Sequence, residues 1–262
     1  KSMPAYSVIF VLGFSHSGST LLGRMLDMHS RILCVGELMR IREAIEKKTP
    51  CSCGEKIPDC AFWKRYLPLI EKANDFRYKR FNPEFYEMLR RAADSDVLVD
   101  LSKNKVLRAM NGMLSAQQWK SENAGYVLLL RDPRGVGASL LRRSDKGLDR
   151  FLSRYEKWMK RYRKFAETRK DRVLVVRYED LCMTPEREMK RICRFMGMDF
   201  ETGMLRPADN THHFIHSSTS GYMKNTNALK IDERWRRELR TEDVERIEAV
   251  IKKMDTLRQA YL

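Results

Sequence analysis

The stretch "VLGFSHSGSTLL", Val11 to Leu22, places four residues between Gly13 and Gly18 and follows them with the hydroxyl pair Ser19 and Thr20 and an apolar run. A glycine-rich turn between a buried strand and a helix presents backbone N–H groups and a positive helix end to an anion. Gly18 permits close approach, and Ser17, Ser19 and Thr20 add hydroxyl donors. A triphosphate loop carries Lys after the second glycine to reach the β- and γ-phosphates, with the hydroxyl on magnesium. Here Ser19 stands in that place and His16 lies within the loop. The pattern suits a terminal phosphate and is poorly equipped for ATP hydrolysis.

A second group lies in "LLLRDPRGVGASLLRR". Arg131 follows an apolar strand pattern, where open α/β sheets bind ligands. Ser139 falls on the helix after it, and Arg143 is one turn further on. These three are expected to converge on a second phosphate, with Asp132 orienting Arg131 and Pro133 ending the strand. A third group is "CSCGEKIPDC", which holds Cys51, Cys53 and Cys60. A closed zinc site needs four ligands, and the sequence near this cluster supplies no fourth. No metal ligand is assigned; a disulfide, a metal site and a thiol-lined turn stay open. Cys34, Cys182 and Cys193 read as ordinary buried thiols, which points to a reducing, cytoplasmic compartment.

The elements that must position these groups alternate between strand and helix. Tyr6 to Phe14 reads as a strand buried on both faces, and "ILCV", "DVLVD", "GYVLLL" and "DRVLVVRYEDL" as the further strands, the first of them short. Helices are expected at Ser19 to His29, Glu37 to Lys48, Lys103 to Gln118, Gly135 to Arg143, Leu148 to Arg169 and after Thr184-Pro185, with Thr241 capping the last. Residues 201 to 230 read as a long loop. The fold expected is α/β: a P-loop-like, doubly wound domain with a mostly parallel central sheet flanked by helices, over residues 1–262 as one unit.

Composition sets limits. The chain has 262 residues, 43% hydrophobic and 33% charged, which is enough for a real core. No apolar run is long enough to span a bilayer, and no signal peptide is visible; the chain starts at Lys1, so a trimmed N-terminal anchor is left open. A net charge of +16 suits anionic partners. Nucleic acid is not expected: in the basic run Ser153 to Arg172, Tyr155, Trp158, Tyr162 and Phe165 have the spacing of a buried helix stripe.

Taken in order along the chain, these motifs resemble the PAPS-dependent sulfotransferases, closer to the tyrosylprotein and carbohydrate branch than to the cytosolic branch. "SHSGSTLL" resembles their 5′-phosphosulfate loop, and "LLLRDPRGVGASLLRR" their 3′-phosphate motif. The resemblance implies donor binding by Ser15, His16, Ser17, Gly18, Ser19, Thr20, Arg131, Ser139 and Arg143. "CVGELMRI" resembles the segment whose Glu is the general base, here Glu37. "VDLSKNK" resembles one whose Lys steadies the sulfuryl group, here Lys103. "VVRYEDLCMTPE" places Tyr178 on the adenine side. The family commonly has Lys or Arg where His16 stands; His16 either donates to the donor's bridging oxygen or only bonds the backbone.

The implied reaction moves a sulfuryl group from PAPS to a hydroxyl-bearing acceptor, leaving PAP, with no metal required. The acceptor could be an acidic peptide, a glycan or a small molecule. The acceptor proton needs a base, and a carboxylate suits that task. Glu37 is the candidate, although an acidic residue in a helix's first turn is also favoured by the dipole alone. His212, His213 and His216 are held in reserve. A P-loop small-molecule kinase and a non-catalytic nucleotide-binding protein are the alternatives.

Overall fold

Alternation along each strand decides the layering. In the first strand, β1 (Val8–Leu12), Val8, Phe10 and Leu12 face one apolar layer while Ile9 and Val11 face the other. Both faces are therefore apolar, as a strand buried between two helical layers requires. The computed structural model describes residues 5–72, 83–113, 123–143, 147–216 and 227–254; for residues 109–113 it describes the backbone only. The sequence-expected helix to Gln118 and the loop over 201 to 230 fall partly outside those residues.

Four further strands join β1: β2 (Ile32–Cys34), β3 (Val97–Asp100), β4 (Ala124–Leu130) and β5 (Val173–Arg177). Their order is β2-β3-β1-β4-β5, and every pairing is parallel. One layer packs Phe85, Tyr86, Phe151, Tyr155, Trp158 and Tyr162 onto the sheet. The opposite layer packs Leu21, Leu22, Met25 and Leu26 of the helix Ser19–Asp27 together with Met189 and Ile192. Each such side chain, fully buried, contributes roughly 1.5–3 kcal/mol. The aromatic stripe of the basic helix Leu148–Thr168 lies in this core at Tyr155, Trp158 and Tyr162, with Phe165 half-buried.

Because all strands run the same way, every strand's carboxyl end lies on one edge. That edge carries Gly13 to Gly18 after β1, Glu37 after β2, Lys103 after β3, Arg131 after β4 and Tyr178 after β5. Residues up to 165 positions apart, Gly13 and Tyr178, are thus gathered by topology alone.

Several helix starts differ from the sequence expectation. The expected helix from Glu37 begins instead as a 3-10 turn, Leu38–Arg40, before the helix Ile41–Glu46. Thr184 stands at the N-cap before Pro185, but its hydroxyl donates back to Asp180 O at 3.0 Å and makes no cap bond. Thr241 is the first helical residue, and Arg240 is the N-cap. No described helix is long and apolar enough to cross a membrane.

Candidate active site

The loop after β1 is built by two left-handed residues and one buried anchor. Gly18 (φ 93°) opens the helix Ser19–Asp27 and gives it no side-chain cap. A Cβ there would lie 2.4 Å from the Tyr178 ring. Gly18 is therefore required by Tyr178 packing as well as by its backbone angle. His16 is also left-handed (φ 71°), an uncommon state for a residue with a side chain. Tyr162 donates to Gly13 O at 2.6 Å and also bonds Asn104, which ties the loop to the segment after β3.

The hydroxyls of the loop differ in setting. Ser15 is exposed, Ser19 is buried and Thr20 is half-buried. Ser17 is buried, and its Oγ has no hydrogen-bond partner. An orphaned hydroxyl of this kind costs about 1–3 kcal/mol unless something meets it. An uncapped helix start, this hydroxyl and nearby Arg131, Arg143 and Lys103 form a cationic cradle suited to an anionic group.

His16 sits among those cations. Burial first, and then the charges of Arg143, Lys103, Arg131 and Arg142, push its imidazole down to about 4. Its Nδ1 is 3.3 Å from Ser139 Oγ. The imidazole is neutral at pH 7 in this state, so a protonated donor would have to be created by an arriving anion.

Arg131 is oriented differently from the sequence expectation. It donates to His16 O at 2.9 Å and to Asp232 O at 3.2 Å, pairs with the Asp232 carboxylate at 3.2 Å and stacks on Tyr178 at 4.5 Å. Asp132 does not hold it. Asp132 instead caps the helix Pro133–Leu141 through Arg134 N at 2.8 Å and pairs with the Arg134 side chain. The reason is local: an N-cap carboxylate is aimed at its own helix's first N–H groups. Tyr178 is buried beneath Arg131 and Gly18, and its hydroxyl meets Lys230 O and Asp232 N. Ser139 is buried near His16, while Arg143 stands past the helix end and still acts on His16.

Glu37 lies at the other end of the edge. Its carboxylate accepts from Lys103 Nζ at 2.9 Å and Lys105 Nζ at 2.5 Å. Burial alone would raise its pKa, but the two lysines outweigh it and hold the carboxyl at about 2. Glu37 precedes a short 3-10 turn and makes no cap bond, so the two lysines, with Arg40 further off at 3.9 Å, rather than a helix dipole account for its ionisation. Lys103 is itself left-handed (φ 55°), a strained backbone of the kind that clusters at functional sites.

Asp100 builds the frame beneath this pair. It is fully buried and accepts from Tyr86 OH at 2.5 Å, Ser102 N at 2.7 Å, Ser102 Oγ at 2.5 Å and Leu38 N at 3.3 Å. Burial raises its pKa to about 6 despite those bonds. Asp100 ends the Walker-B-like run "VLVD", which without a Walker lysine does not read as a magnesium site; Lys105 and Asp232 are not singled out from the sequence. Lys105 could have been, since "SKNK" carries two lysines with the same reach; Asp232 has no motif to mark it.

The three reserve histidines separate in space. His212 is buried against Asp27 (2.6 Å) and Pro207 O (2.8 Å). His213 joins the cysteine group, with Cys60 Sγ at 3.3 Å from its Nδ1. Of the three, His216 alone lies near Glu37, Arg40 and Lys105. The fourth metal-ligand candidate missing from the local sequence therefore arrives from 153 residues beyond Cys60.

A family model, described as the sulfotransferase family, matches residues 8–202, a range that includes the loop after β1, Glu37, Lys103, Arg131 and Tyr178. The chain belongs to the sulfotransferase family. A putative protein-tyrosine sulfotransferase of Caenorhabditis briggsae is 24% identical over 209 residues, covering 76% of this chain and 68% of that one. Across three curated relatives the chain spans between 40% and 68% of their lengths. Among solved structures, the sulfotransferase domain from the curacin biosynthetic pathway superposes with a TM-score of 0.65 at 21% identity, covering 94% of this chain and 98% of that one. A mouse sulfotransferase complexed with PAP superposes with a TM-score of 0.54 at 13% identity, covering 98% and 89%. At these identities the superpositions establish the fold.

Proposed function

We propose that the chain transfers a sulfuryl group from PAPS to a hydroxyl-bearing acceptor, with Glu37 taking the acceptor proton. The observation that carries this reading is the Glu37–Lys103–Lys105 cluster beside the loop of His16, on one edge of the sheet. When bound, the donor supplies an activated sulfuryl group whose leaving fragment is PAP, the product held by the mouse structural neighbour. Ser17, the helix start after Gly18, Arg131, Ser139 and Arg143 bind its phosphates; Tyr178 supports Arg131 from below. Lys103 steadies the sulfuryl oxygens. Sharing Lys103 in this way weakens its hold on Glu37 and raises the basicity of a carboxylate otherwise too weak to be a good base. Catalysis then rests on positioning and charge.

Asp100 favours this over a kinase. Its position at the end of β3 is where a magnesium-binding Asp would stand, but its oxygens are already occupied by four donors. For the acceptor, the names of the curated relatives and the charge of +16 make a tyrosyl hydroxyl in an acidic peptide the first to try.

Thermal melting with PAP and with ATP-magnesium tests the reading. A ligand at about one hundred times its Kd adds roughly 2.7 kcal/mol. Stabilisation by PAP, with little from ATP-magnesium, is expected; the reverse would refute it. Glu37→Gln should keep PAP binding and lose transfer from labelled donor, and undiminished transfer would remove Glu37 as the base.

A further inference from the structure

The cysteine group lies apart from the donor loop and the reaction makes no use of it. Cys53 and Cys60 have their sulfurs 3.7 Å apart, and Cys60 and Cys51 3.8 Å apart. His213 Nδ1 lies 3.3 Å from Cys60 Sγ and 3.9 Å from Cys51 Sγ. All four ligand atoms fall within 4.8 Å of one another. A tetrahedral zinc ion, about 2.3 Å from sulfur and about 2.0–2.1 Å from nitrogen, holds sulfurs about 3.8 Å apart and sulfur and nitrogen about 3.5 Å apart. The four spacings given lie close to those edges. They are far from a disulfide, whose sulfurs are about 2.05 Å apart.

The geometry points to a closed site in which Cys51, Cys53, Cys60 and His213 bind one structural zinc ion. The surroundings already hold the ligands in place. Cys51 N donates to Glu55 O at 2.7 Å and Gly54 N returns to Cys51 O at 2.9 Å, with Gly54 left-handed (φ 107°), so the first two cysteines sit on one tight knuckle. Ser52 Oγ donates to His212 O at 2.5 Å and accepts from Phe214 N at 2.8 Å, fastening that knuckle to the His213 segment. Trp63 donates to His213 O at 2.9 Å, and Phe62 stacks on the imidazole at 5.0 Å with an interplanar angle of 5°. Cys51 and Cys60 are buried while Cys53 and His213 are half-buried, leaving a way in for the metal.

Binding replaces three thiol protons, released to solvent, with three sulfur–zinc bonds and one nitrogen–zinc bond; no electron is transferred. The ion closes a chain loop of more than 150 residues. It also fixes the strand-like segment through Ile215, whose carbonyl accepts from Glu37 N at 2.9 Å and whose N–H meets Val35 O at 3.1 Å. The zinc would thus steady the backbone that carries Glu37 without entering the reaction.

The test is metal analysis of the whole chain, purified under reductant with no metal added and without metal-affinity resin. About one zinc per chain is expected, released stoichiometrically by a mercurial thiol reagent. Exchange for cobalt should give thiolate-to-metal absorption and the strong visible bands of a tetrahedral site. Cys60→Ser should lose the metal, His213→Cys should retain it, and Cys193→Ser should leave it unchanged. Because Cys60→Ser can fail to fold, the cobalt spectrum of the unaltered chain decides independently. No zinc even after reconstitution with a zinc salt under reductant, iron in its place, or a disulfide within the group in the native protein would each overturn the proposal.

Discussion

His16 replaced by Asn probes whether this residue gains a proton when the donor product binds. Asn is suited to the position because it tolerates the left-handed backbone that His16 adopts at φ 71°. In the free protein the imidazole titrates at about 4, because it is buried and faces Arg143, Lys103, Arg131 and Arg142. A bound phosphate offsets those cations. At an effective dielectric of about 20, one unit charge about 4 Å away is worth roughly 4 kcal/mol, or about three pKa units. A return only to the ordinary value of about 6.5 is assumed. The folded pKa is then low in the free state and higher in the bound state, so PAP affinity must gain as pH falls. Between pH 8 and pH 5 the gain is about 30-fold, or roughly 2 kcal/mol. Near pH 5.5 binding should take up about 0.9 proton at this site. PAP's own phosphates also titrate, and His16→Asn carries that background alone. Calorimetry of PAP binding in two buffers of different ionisation enthalpy gives both quantities. Equal pH slopes and equal proton uptake in His16→Asn and the unaltered protein would refute the reasoning. Without ligand the same depressed pKa acts against the fold: stability falls as pH drops from about 6.5 towards 4.

Lys105→Met should raise the Glu37 carboxyl from about 2, because burial is then opposed only by Lys103 and the more distant Arg40 at 3.9 Å. An acid limb should accordingly appear in the transfer rate near pH 4–5; an unshifted profile would show that Lys105 does not set the charge of Glu37. Asp100→Ala should cost about 3–5 kcal/mol in urea unfolding, since Tyr86, Ser102 and Leu38 all lose a buried acceptor. A loss under about 1 kcal/mol would deny it the framing role. Asp232→Asn should tighten PAP binding several-fold by removing the carboxylate that pairs with Arg131, and weaker binding would mean that Asp232 presents Arg131 rather than competing for it. Gly18→Ala should weaken PAP binding and lower the melting temperature together, because the added Cβ meets the Tyr178 ring at 2.4 Å and the residue is left-handed.

The local patterns determined a good deal by themselves. Runs such as "YVLLL" and "VLVD" are apolar without interruption, and only a strand covered on both faces tolerates that, so a parallel, helix-covered sheet follows from the residues alone. Gly13 to Thr20 announces an anion loop because its chemistry lies within eight consecutive positions. Glu37, Lys103 and Arg131 could be named through motif resemblance, since each follows directly on a strand. What those residues touch could not be read. Glu37 is held by Lys105 from 68 positions away, Arg131 by Asp232 from 101, and His16 is kept neutral first by burial and then by the charges of Lys103 and of Arg131, Arg142 and Arg143. Asp132 and Arg131 are chain neighbours, yet the helix start claims the first and leaves the second to a remote carboxylate. Cys51, Cys53 and Cys60 lacked a fourth partner in sequence because His213 reaches them only when the segment after residue 210 lies down beside β2. Residue type sets which proton or ligand a side chain can hold, while charge, burial and partner depend on distances that exist only once the parallel sheet has brought its loops to one edge.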